Sequence, residues 1–258
     1  MFQDCPALLQ YSLINTGNVA NFNYTFAGCS SLTTINFMDT SSVTSAEFMF
    51  QTAGINTIPL LDFSSLETGL GMFTYSALIE LPALDFSNVT NFSTMFANCP
   101  FLTVAPTMDT SSATNMSRMF YGCRYLVEVP MYNTSNVTQF NTMLSVCESL
   151  ERVPTFDTSS GIIFDNMFSF SPKLKTVPAF DLSSGTNFTS MVSGCYDLIS
   201  FLPTNISDNI DILGTKLSAA GVNVVLANLP TVVGKSILIG SWELLTQTQQ
   251  LQKQRVGQ

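Results

Sequence analysis

Histidine is absent from the 258 residues, which removes the side chain that most readily moves protons near neutral pH. Charge is scarce too: 10% of the chain is Asp, Glu, Lys or Arg, against about a quarter in an ordinary globular chain. No basic residue occurs before Arg118, while Asp4, Asp39, Glu47, Asp62, Glu67, Glu80, Asp85 and Asp109 all precede it. With a net charge of -9, this distribution argues against nucleic acid and anionic membrane as partners, because both are held by Lys/Arg clusters. No apolar run reaches the roughly 18 residues of a transmembrane helix, so no membrane insertion is expected. The first residues lack the basic and apolar regions of a signal peptide. Cys-x-x-Cys spacings, a Gly-rich phosphate loop and a nucleophile elbow are all missing. These absences predict a non-enzymatic chain with no catalytic residue, no metal site and no cofactor. What remains is 46% apolar, enough for a core under a surface of Ser, Thr and Asn.

That apolar material is periodic. Cys99, Cys123 and Cys147 are spaced by 24. The ladder extends to Cys5, Cys29, Ala53, Ser76, Cys99, Cys123, Cys147, Ser171 and Cys195, and all six cysteines fall on it. Three residues before each rung stands Phe2, Phe26, Phe50, Phe73, Phe96, Phe120, Leu144, Phe168 or Val192. Just after it stands Leu8, Leu32, Ile55, Leu78, Leu102, Leu126, Leu150, Leu174 or Leu198. Asn15, Asp39, Asp62, Asp85, Asp109, Asn133, Asp157, Asp181 and Asn205 form a further column. A fixed period of this size is the mark of a stacked repeat array.

Each unit reads as one short helix and one short parallel strand. Val89, Phe92, Met95 and Phe96 share a helical face. Asp-Thr-Ser-Ser or Asp-Phe-Ser-Asn supplies the turn and N-cap ahead of it. Gly28, Asn98, Gly122 and Gly194 fit a left-handed C-cap. A strand such as Leu150-Glu151-Arg152-Val153 follows, and Pro154 ends it, as Pro59, Pro82, Pro106, Pro130 and Pro178 do in their units. One unit cannot bury its apolar side; stacked units can. The expected fold class is therefore α/β: a right-handed leucine-rich-repeat solenoid of about nine 23–24-residue units over 1–205, roughly 40 Å long at the usual strand spacing. The segment 206–258 is expected to be a C-terminal cap, with a helix at 206–220, strands at 222–226 and 236–239, and a Gln-rich helical tail at 243–258.

The unit Asp-Thr-Ser-Asn/Ser-Val-Thr-Asn-Met/Phe-Ser-x-Met-Phe-x-x-Cys-x-x-Leu, clearest from Asp85 to Leu102 and from Asp109 to Leu126, resembles the BspA-like leucine-rich repeat. That repeat occurs in bacterial surface proteins, mycoplasma lipoproteins and bacteriophage proteins. The resemblance implies an adhesin or recognition surface. The closing segment Leu229-Pro230-Thr231-Val232-Val233-Gly234-Lys235-Ser236-Ile237 resembles phage versions of such arrays. It implies a virion-surface protein serving host recognition, with a structural tail or capsid component and a bacterial adhesin as alternatives. Implied partners are other virion proteins and a host-surface protein or glycan, with a homo-oligomer through the C-terminal helix a further expectation. The opening Met1-Phe2-x-x-Cys5 matches the middle of a unit, which is read as an internal start, a fragment, or an end capped by another protein.

The cysteine column is read as buried free thiols, since Ala53, Ser76 and Ser171 share its place and small size. The Asp/Asn column is read as turn caps, because Asn replaces Asp freely. The sequons at Asn23, Asn88, Asn91, Asn115, Asn136 and Asn187 follow from the repeat wording itself. Binding is expected where units differ, at the two residues after each leucine. The candidate patch is Tyr121, Arg124, Tyr125, Glu128, Glu151, Arg152, Lys173 and Lys175, with Tyr132 nearby. Aromatic residues beside Arg are typical of contact surfaces.

Overall fold

The computed structural model describes residues 2–11, 15–229 and 237–238. Within them, each unit lies on the next in the same register. One parallel ladder of single bridges runs Asn21, Ser45, Thr68, Asn91, Asn115, Gln139, Ile163, Asn187. A second, on the strand side, joins Val104 to Glu128 and Arg152 to Thr176. It widens into β1 (Thr176–Asp181) paired in parallel with β2 (Ser200–Thr204). Prolines do not end these strands as expected: Pro178 lies inside β1 and Pro203 inside β2. The register is irregular between Val177 and Phe180, which lets a residue without an N–H stay in the strand.

The helix expected in each unit is not formed. Residues 93–98 make successive turns. Met95, Ala97 and Cys99 donate their N–H groups three residues back, to Phe92, Thr94 and Phe96. Phe92, Thr94, Phe96 and Asn98 instead donate to Asn115, Ser117, Met119 and Tyr121 of the next unit. An α-helix would spend these donors on itself. Here alternate donors run along the stack, and the backbone turns left-handed at Thr94 (φ 54°) and Asn98 (φ 56°) to aim them. Gly28, Gly122 and Gly194 take the positive φ expected of them. Their column also holds Thr52, Tyr75, Val146 and Phe170 at positive φ. Each left-handed non-glycine costs about 1–2 kcal/mol. The bonds along the stack and the packing beneath must offset that.

The core lies between the turn and strand sides. Phe2, Phe26, Phe50, Phe73, Phe96 and Phe120 stack in sequence, with ring centroids 5.4–5.7 Å apart. Leu144 ends this column. A second column of Phe140, Phe164 and Phe188 overlaps the later units. The leucine column from Leu32 to Leu198 is fully buried.

The rung thiols do more than fill space. Cys29, Cys99, Cys123, Cys147 and Cys195 are buried. Each thiol donates to the carbonyl of the preceding unit's Phe, at 3.0–3.3 Å. Ser171 Oγ makes the same bond to Leu144 O at 2.8 Å. Serine and cysteine therefore share a hydrogen bond as well as a size. Burial pushes the Cys99 and Cys195 thiols up to about 12 and raises Cys123 and Cys147 too. A thiol reagent at pH 8 is expected to label one cysteine per chain rapidly, the half-buried Cys5, because thiolate character and access both govern reactivity. The rest should react only on unfolding. Several fast-labelled thiols in the native protein would refute this packing.

The Asp/Asn column caps turns. Asp39, Asp62, Asp85, Asp109, Asn133, Asp157 and Asp181 each accept the N–H two residues on through Oδ1. Hydrogen bonds from Ser41, Ser87 and Ser159 hold the Asp39, Asp85 and Asp157 carboxyls below the usual range. Beside the column, the buried hydroxyls of Thr16, Thr40, Thr110, Thr134 and Thr158 donate to the next unit's Asp or Asn carbonyl.

Beyond the array the expected elements shift. Residues 206–218 are not helical; they contain β3 (Ile210–Asp211), which pairs in parallel with β4 (Ile237–Leu238). The helix α1 is Ala219–Ala227, and it takes in the 222–226 segment expected to be a strand. Ser218 caps it by accepting from Gly221 N. Val222 and Val225 are its buried residues, and the helix packs against β2. β-Branched residues make poor helix formers, but this short helix is anchored by burial. The tail at 243–258 lies outside the described residues.

Candidate recognition face

The strand side repeats a buried–exposed–exposed–buried pattern, as in Leu126, Val127, Glu128 and Val129. Both residues after the leucine therefore face solvent in most units. Thr33-Thr34, Ile79-Glu80, Thr103-Val104, Val127-Glu128 and Lys175-Thr176 are all exposed pairs. No bonding role of the fold fixes these side chains, and they differ from unit to unit.

The expected patch is partly assembled. Lys175 Nζ lies 2.7 Å from Glu151 Oε2, and this hydrogen bond holds the Glu151 carboxyl below its ordinary range. Arg124 pairs with Glu148 at 3.2 Å. These pairs are exposed and add little to stability. Arg152 and Lys173 are exposed and form no ion pair among the described residues. Glu128 and Tyr125 are exposed as well. Tyr121 is half-buried in the turn segment, not on the strand. Tyr132 is no surface residue: it is 2% exposed, stacks on Phe120, and its hydroxyl donates to Pro106 O at 2.8 Å.

The expected patch omitted a more apolar region one or two units earlier. Ile79, Phe101 and Val104 are large and about half exposed, and Val127 continues this region beside the patch's own Tyr125. Phe37 and Leu60 are exposed still further back, beside a depression of about 460 Å³ that Asp39 and Asp62 also line. Exposed apolar groups gathered on one side mark contact surfaces. Among the described residues, no group of three or more His, Cys, Asp or Glu is gathered as a metal would require. No described helix is long and apolar enough to cross a membrane.

Sequence-related units stacked on one continuous core define a repeat protein. The model of the family described as "Mycoplasma protein of unknown function, DUF285" matches residues 1–103 and 90–202, and the chain belongs to that family. This agrees with the resemblance to BspA-like and mycoplasma-type repeats. No curated protein and no solved structure matches the chain.

Proposed function

We propose that this chain is a right-handed solenoid of the leucine-rich type, acting as a non-enzymatic recognition module on the surface of a bacteriophage virion. One observation carries the recognition reading. The recurring columns are committed to core packing, turn caps and bonds between units, whereas the strand-side positions are exposed, variable and rich in large apolar groups. A rigid scaffold with a variable exposed face suits binding. The phage setting is supported by the resemblance of residues 229–237. Its partners on this reading are other virion proteins and a host-surface protein or glycan.

Peptide mass spectrometry of purified particles from the source culture tests the setting. Peptides of this chain are expected in the particles. Their presence together with loss of host adsorption after its removal supports the proposal. Presence with unimpaired adsorption turns it into a structural tail or capsid component. Its recovery from cell envelopes instead makes it a bacterial adhesin.

A further inference from the structure

The charges of this chain are divided along the stack. Residues 1–117 carry eight acidic side chains and no basic one, and all nine basic residues follow. On the strand side this division leaves two charges without partners. The Glu80 side chain is exposed and makes no ion pair among the described residues. Arg152 is exposed and equally unpaired there, because its neighbour Glu151 is taken by Lys175 at 2.7 Å. Both stand in one column, the second residue after the leucine, in units four and seven.

Between them lies the apolar part of the same side. Phe101 and Tyr125 are 56% and 60% exposed and share a column, two residues past the rung, in units five and six. Val104 and Val127 are exposed beside them. Next to Glu80 a groove of about 360 Å³ is walled by Ile79, Pro82, Val104 and Pro106, and Glu80 supplies the charge on its lining. Apolar walls with one carboxylate fit an arginine. Its methylene stem packs on the walls while the guanidinium pairs with the carboxylate.

We propose that a second copy of this chain docks on this side, antiparallel, about a two-fold axis that runs along the strands between Val104 and Glu128. These two residues are bridged neighbours in units five and six, midway between Glu80 and Arg152. A two-fold contact is made twice. Glu80 therefore receives Arg152 of the second copy, and Arg152 reaches Glu80 of the second copy. The same axis sets Phe101 against Tyr125 of the second copy, again twice. The charges select this occupant: the cation that the groove lacks is offered, unpaired, by the same chain, in the same column and on the same side. No basic residue in 1–117 repels it. At the usual strand spacing, units two to nine opposed in this way cover about 600 Å² on each copy, or about 1,200 Å² together, the lower end of specific interfaces. The proposal rests on the strand side being a recognition face and names a second copy as what its middle units recognise.

Sedimentation equilibrium of the full chain is the test. A monomer–dimer equilibrium is expected, with a dissociation constant on the order of 10 μM. It should weaken at about 0.5 M salt, where the screening length falls to roughly 4 Å. Glu80→Arg and Arg152→Glu should each weaken the dimer about tenfold or more. The double variant exchanges the two charges and should return to within about threefold of the parent, a recovery that a merely damaged surface would not give. Both side chains are exposed and unpaired within the chain, so every variant should keep the parent's unfolding midpoint. A parent that stays monomeric, single variants that dimerise as tightly as the parent, or a double variant no tighter than the singles would overturn the proposal. A strictly monomeric chain that is present in particles and needed for adsorption would sink the self-contact and leave the virion reading standing; a charge-dependent dimer absent from particles would do the reverse.

Discussion

Phe96→Ala is expected to cost about 3–5 kcal/mol, the usual range for emptying a buried aromatic site. Phe96 is wholly buried, with its ring 5.5 Å from Phe73 and 5.4 Å from Phe120. Removing it opens a cavity in mid-column and costs both neighbours a stacked partner, beyond the area they bury. The backbone bond from Phe96 N to Met119 O survives the change, so the loss belongs to the side chain. Denaturant unfolding reads it, as a lower midpoint. Phe2 provides the comparison: it stacks on Phe26 and is only half-buried, so Phe2→Ala should cost far less. Because stability in such arrays is a sum of unit and interface contributions, amide exchange should rise first in the units around Phe96. Equal costs for the two variants would show that the aromatic column is not a mid-stack support.

Thr94 should respond in opposite directions to two substitutions. Its φ is 54°, and its hydroxyl is buried without a hydrogen-bond partner. Its N–H donates to Ser117 O at 2.9 Å. Glycine removes both the left-handed penalty and the stranded hydroxyl. After glycine's own entropic cost, Thr94→Gly should gain roughly 1 kcal/mol. Proline cannot reach positive φ and has no N–H, so Thr94→Pro should lose about 3 kcal/mol or more. A helix would reverse the first result, since glycine is a poor interior helix residue. Paired unfolding curves of the two variants thus discriminate between the turn ladder and a helix.

The difficulty of reading this segment from sequence has a physical origin. Val89, Phe92, Met95 and Phe96 are buried as the helical spacing requires. A run of tight turns places the same positions inward, however, so burial alone does not distinguish the two backbones. Thr94, Val146 and Phe170 in left-handed positions gave no warning, because none is a residue that favours positive φ. The core columns were legible because each must meet its own kind in the next unit. Tyr132 was misread because aromatic character alone does not say whether a ring faces solvent or the Phe120 stack. The apolar strand-side patch was visible as Ile79, Val104 and Val127 but lost to the more conspicuous charges that follow. The helix at Ala219–Ala227 was missed because its valines favour strands when no neighbour is specified. The shorter rung-to-leucine spacing of Ala53–Ile55 and Ser76–Leu78 was visible in the sequence. Its meaning depends on two units side by side, which a single unit cannot reveal.

That one-residue difference also bears on heredity. A gene for such a chain can gain or lose a whole period and restore every contact, because each unit meets only its neighbours. A single added codon has no such remedy. The unit that carries it must absorb the difference itself, while the periods on either side continue unaware of it. Changes smaller than a period are therefore confined to the unit that bears them, as the one-residue-shorter Ala53–Ile55 and Ser76–Leu78 spacings are here.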